Sequence, residues 1–92
     1  MIKNFKHKGL ALFFTQGNKK LLNARDLPKI TRVLDRLDSA MVVQDMNIPG
    51  WDFHELKGSR RGVWSVAIQK NWKVTFCFDR GVASDVNLED YH

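Results

Sequence analysis

The chain has 92 residues, enough for one domain with a modest core. Its single cysteine, Cys77, excludes an internal disulfide and any metal site built from several thiolates, and points to a reducing compartment. A net charge of +5 suits a polyanionic partner, or at its plainest a solvated basic surface that keeps the chain soluble.

The elements follow in chain order. Ile2–Phe5 reads as a short first strand. Lys8–Gly17 places Leu10, Phe13 and Phe14 at helical spacing, with Gly17 as the stop and His7 as a structural or solvated residue at the helix start. The apolar run Leu10–Phe14 is too short for a signal-peptide core or a membrane span, so the expectation is a soluble, cytoplasmic chain with no membrane contact. A second helix begins at Asp26 as N-cap with Pro28 in its first turn. Ile30, Val33, Leu34 and Leu37 then form an apolar stripe that needs a partner. Ser39–Met46 suggests a short third helix with Ser39 as its cap, and Pro49–Gly50 a turn.

Beyond residue 50 the period becomes two. Trp64, Val66 and Ile68 share one face, as do Trp72, Val74, Phe76 and Phe78, and Val82, Val86 and Leu88. Lys73, Thr75 and Cys77 take the opposite face, with Ala83, Asp85, Asn87 and Glu89. Short connections at residues 69–71 and 79–81 suit hairpins. The expected fold is therefore α+β: a small antiparallel meander, greasy on one face, with two or three N-terminal helices packed against it. No repeat, low-complexity segment or linker divides the single domain, residues 1–92.

The charge is uneven. Residues 1–25 hold Lys3, Lys6, Lys8, Lys19, Lys20 and Arg25 without an acid, and residues 56–78 hold Lys57, Arg60, Arg61, Lys70 and Lys73 without one. This favours a polyanion footprint, with DNA, RNA, acidic protein and anionic lipid all open. His54, Lys57 and Lys73, with the terminal Asp90, Tyr91 and His92, could gather near one end of the sheet. Such a set suits metal-free RNA cleavage: two proton-transfer groups, plus cations for a phosphorane-like transition state. Each residue alone has a plainer explanation as a surface, packing or ion-pairing group. Trp51 is the tryptophan that could stack on a ligand, although anchoring is its simpler role. Strand parity places Tyr91 with Asn87 and Glu89 and turns Asp90 and His92 away, unless a bulge near residue 89 intervenes.

The stretch PGWDFHELKGSRRGVWSVAIQKNWKVTFCF, residues 49–78, adds a resemblance. Pro49, Gly50, His54, Leu56, Lys57, Gly58, Gly62, Trp64, Ser65, Trp72, Phe76 and Phe78, with the closing Asp90-Tyr91-His92, resemble the signature of HigB-type toxins of the RelE superfamily. The resemblance spans essentially the whole chain. It implies a RelE-like fold and ribosome-dependent, metal-independent cleavage of messenger RNA, which arrests translation and growth. It implies no cofactor, and a helix-turn-helix antitoxin of the HigA type through which alone the pair would reach operator DNA. By position it assigns cleavage to His54, Lys57, Lys73, Asp90, Tyr91 and His92, and Arg60, Arg61 and Lys70 are the candidate RNA contacts. Lys73 stands where the family most often has arginine, which implies weaker orientation of a phosphate and a slower or differently selective nuclease. Two rivals accompany this reading: a ParE-like gyrase poison, and a non-catalytic module that binds the ribosome or nucleic acid.

Overall fold

The structure, a computed structural model, describes residues 1–90. Two helices, α1 (Lys8–Gln16) and α2 (Leu27–Ser39), precede four strands: β1 (His54–Glu55), β2 (Val63–Gln69), β3 (Trp72–Asp79) and β4 (Val82–Asp90). The strands form one antiparallel sheet in the order β1-β2-β3-β4, the expected meander. Among the described residues no helix is long and apolar enough to cross a membrane.

Helix α1 is bounded by side-chain and backbone caps. The His7 Nδ1 accepts the Leu10 N–H at 3.1 Å, and burial pushes the imidazole pKa down, so the neutral acceptor form is favoured. At the far end Gly17 adopts φ 69°, and the Gly17 and Asn18 N–H groups close on Phe13 and Leu12 carbonyls.

Helix α2 starts differently from the expectation. Asp26 makes no capping hydrogen bond; its carboxylate accepts the Gln69 side-chain amide at 3.0 and 3.1 Å. Asn23 instead caps a 3₁₀ turn, Ala24–Asp26, that leads into the helix. Packing can carry this start. Ile30, Val33, Leu34 and Leu37 are all buried against the sheet, each worth roughly 1.5–3 kcal/mol against about 1 kcal/mol for a cap. The expected third helix is a 3₁₀ turn, Val43–Met46. Ser39 ends α2 rather than capping the turn, and Asp45 Oδ2 accepts the Met41 and Val42 N–H groups.

The greasy face carries Val66, Ile68, Val74, Phe76 and Val86, all buried with the helical stripe. Trp51 joins this core, and its carbonyl accepts the Ala67 N–H at 2.7 Å, so it anchors rather than presents a stacking face.

Strand β4 departs from simple alternation. Thr75 pairs with Asn87 but Cys77 pairs with Ser84, so β4 carries one extra residue there, and Asp85 sits at φ 52°. This bulge reverses the phase. Ala83, rather than Val82, enters the core upstream of it, while Val86 enters downstream. Asn4 locks the bulge: its Nδ2 donates to Asp85 Oδ1 at 2.9 Å and its Oδ1 accepts the Asp85 N–H at 3.2 Å. The expected first strand is accordingly reduced to two parallel bridges, Ile2 to Ala83 and Phe5 to Val86, which cover the outer edge of β4. Past the bulge, Asn87 and Glu89 lie opposite Thr75 and Lys73, as parity requires.

Candidate active site

The polar face of the sheet builds the site. A row runs across all four strands: His54 opposite Ser65, Ser65 opposite Thr75, and Thr75 opposite Asn87. The next row is Ala67, Lys73 and Glu89. A cleft of about 130 Å³ opens here, lined by His54, Lys73, Lys70, Gln69, Trp72 and Ser65, with Asp52 and Ala67. Trp72, which parity assigns to the core face, packs partly on the core and also walls this cleft. The β2–β3 register slips between Ala67 and Gln69, which places the turn with Lys70 at the mouth.

His54 sits on a strand of only two residues. Beside it Phe53 stacks on Trp64 with ring centroids 5.0 Å apart and planes 6° from parallel. That stack and the Ala67–Trp51 bond hold the short strand to β2. The Gly50 turn (φ 87°) and Asp52 (φ 48°) fold the preceding backbone back on itself, so the Asp52 carbonyl lies 2.8 Å from His54 Nδ1. A carbonyl only accepts, so Nδ1 must carry the proton and the neutral ring keeps its lone pair on Nε2. The Asp52 carboxylate is 4.0 Å from the same nitrogen. The side chain stays half exposed.

Lys57 and Arg61 are exposed and bracket a 3₁₀ turn, Gly58–Arg60, in the β1–β2 loop; neither lines the cleft. Arg60 reaches across the sheet instead. Its guanidinium donates to both Glu89 oxygens at 2.7 and 2.6 Å. Glu89 also accepts the Thr75 hydroxyl. Arg60, ahead of Thr75 and Lys73, holds the Glu89 carboxyl down at about 2, against an ordinary 4.5. Asp90 pairs with Trp72, so the end of β4 arrives at the wall of the cleft. Tyr91 and His92 lie outside the described residues.

The cleft thus brings together His54, Lys70 and Lys73, with Asp90 at its border and Lys57, Arg60 and Arg61 on the adjoining loop. Three participants lacked a sequence signal for their contacts: the Asp52 carbonyl, Gln69 and Glu89. Parity puts Glu89 on the side of Lys73, but its partner Arg60 is 29 residues away on a loop.

Comparison with known proteins decides the family. Residues 3–92 match the model of HigB-like toxins, described as the RelE-like toxin of type II toxin–antitoxin system HigB. The chain belongs to this family. The toxin is 42% identical to Endoribonuclease HigB of Proteus vulgaris over 92 residues, the whole of both chains. It is 29% identical to Toxin HigB-1 of Vibrio cholerae over 93 residues, covering 99% of this chain and 98% of that one. The crystal structure of YafQ from Escherichia coli shares the fold at a TM-score of 0.58 and 11% identity, covering 98% of this chain and 91% of that one. A YafQ variant gives a TM-score of 0.54 at the same identity and coverage. As the toxin of a type II pair, the protein has an antitoxin partner.

Proposed function

We propose that this endoribonuclease toxin cuts messenger RNA on the translating ribosome, with His54 as the base and Lys73 and Lys70 as the phosphate-holding cations. The observation that carries the reading is the tautomer imposed on His54 in a cleft that also holds two ammonium groups. A 2′-hydroxyl gives its proton to Nε2 as its oxygen attacks the adjacent phosphorus. The charge that accumulates on the phosphoryl oxygens is met by Lys73 and Lys70. The bond to the 5′-oxygen then breaks, and that oxygen takes a proton from His92. Asp90 steadies His92, Tyr91 stacks on a base, and Lys57 and Arg61 hold the flanking backbone.

The partner in this reading is a helix-turn-helix antitoxin of the HigA type, which carries the pair's operator contact. The site of action is the cytoplasm, where messages are translated. Lys73 neutralises charge without the bidentate fork of an arginine, which favours looser phosphate orientation.

The test is induction of wild type beside His54→Ala and His92→Ala in a bacterial host, with RNA 5′ ends mapped on translated and untranslated copies of one transcript. In-frame cuts confined to the translated copy and lost in both variants are expected. Growth arrest without such cuts overturns the reading. Altered supercoiling would then favour a gyrase poison, and unaltered supercoiling a passive binder.

A further inference from the structure

The β1–β2 loop carries Lys57 and joins the strand of His54 to the sheet. Its backbone anchors are short-range: the Leu56 N–H reaches Val63, the Gly62 N–H reaches Glu55, and the Arg60 and Arg61 N–H groups close on Lys57 and Gly58. The Arg60–Glu89 pair is of another kind. It crosses from this loop, beside β1, to the last strand, 29 residues on, and it is bidentate. Glu89 itself is fixed from below by the hydroxyl of Thr75, which is 1% exposed, and it stands directly opposite Lys73. The next residue along is Asp90, at the border of the cleft.

We infer that Glu89 is a positioning residue for the cleavage reaction. Through Arg60 it clamps the Lys57 loop over the sheet, and through its carboxylate it sets the direction of the Lys73 ammonium. Arg60 therefore acts through Glu89, and not as a loose contact to RNA. A planar guanidinium held by two parallel hydrogen bonds fixes a loop in angle as well as distance, which a lysine at position 60 could not do. One carboxylate then aligns cations from two separate parts of the chain. The inference rests on the proposed ribosome-dependent cleavage.

The experiment is single-turnover cleavage of a programmed ribosome, with toxin–ribosome affinity measured separately, for wild type, Glu89→Gln, Arg60→Ala, Arg60→Lys and the double variant R60A/E89Q. A displaced cation lowers the cleavage rate roughly tenfold to a hundredfold. The expected result is that loss in each single variant with affinity changed less than about threefold. The double variant should be no slower than the worse single, because both act through one contact. Arg60→Lys, which keeps the charge and loses the fork, should fail to restore the rate. Arg60 is half exposed, so its variants keep the fold even where Glu89→Gln does not, and a melting curve on each separates the two effects. If Arg60→Ala weakens affinity at an unchanged rate, Arg60 is an RNA contact and the clamp is wrong. Multiplicative losses in the double variant also overturn it. Failure of wild type to cut removes the underlying reading and the clamp together, and is recognisable because no variant is then needed to see it.

Discussion

At the scale of single residues, the site depends on where protons sit. The 2.8 Å contact with the Asp52 carbonyl places the His54 proton on Nδ1. Nitrogen-15 NMR of the neutral imidazole should therefore report a protonated Nδ1 and a bare Nε2; the reverse tautomer would remove His54 as the base. Losing a proton-transfer group typically lowers a rate by about 10²–10⁴-fold, so His54→Ala should fall in that range with the fold intact, since the side chain is half exposed. Glu89 supplies a second proton-linked prediction. Its carboxyl is held at about 2 in the folded chain against 4.5, so between these values the unfolded chain binds more protons. The stability it contributes is complete above the ordinary glutamate value and is lost as pH falls toward the folded one. Denaturant midpoints measured through that acid window should fall less steeply in Glu89→Gln than in wild type.

At the scale of elements, much of the architecture was legible. The two helices, the three long strands and the Lys73 face follow from periods of 3.6 and 2, because each buries one face against the other. Except at the Val43–Met46 turn, where the local Asp45 carboxylate takes the Met41 and Val42 N–H groups, the misread places share a cause: a distant partner overrode a local rule. Asp26 looks like a cap, yet Gln69 claims its carboxylate. Val82 looks like core, yet Asn4, some eighty residues earlier, fixes a bulge at Asp85 and puts Ala83 there instead. The Arg60–Glu89 pair belongs to the same class. The bulge makes a direct prediction. At φ 52° an aspartate is tolerated and a glycine is at ease, whereas a β-branched side chain clashes with its own carbonyl. Asp85→Val should destabilise by about 1–2 kcal/mol or more in chemical denaturation, and Asp85→Gly by less, although both lose the side-chain bond from Asn4 Nδ2. Equal losses would show that the side-chain bond, and not the backbone, holds the phase.

At the scale of the whole molecule, core and chemistry take opposite faces of the sheet, and only the end of β4 runs beyond the core. The buried apolar core of the described residues runs from Leu10 to Val86, while β4 continues past it to Asp90, beside Trp72 at the cleft. Over these last four residues Leu88 packs on the core, Glu89 holds Arg60, and Asp90 pairs with Trp72 at the wall of the cleft. Under the proposed mechanism Tyr91 and His92 should matter for cleavage and hardly at all for folding. Removing Tyr91 and His92 takes away no residue of that core, so the thermal midpoint should shift by no more than a surface change would produce, about 0.5 kcal/mol in stability. Growth arrest on induction should nevertheless disappear, because the proposed acid and the base-stacking ring go together. A truncated chain that still arrests growth would place the acid elsewhere, with Lys57 the first residue to test. A truncated chain that melts early would mean that the end of β4 is held by its final residues, and that the Glu89 clamp is set up by the same two side chains that complete the site.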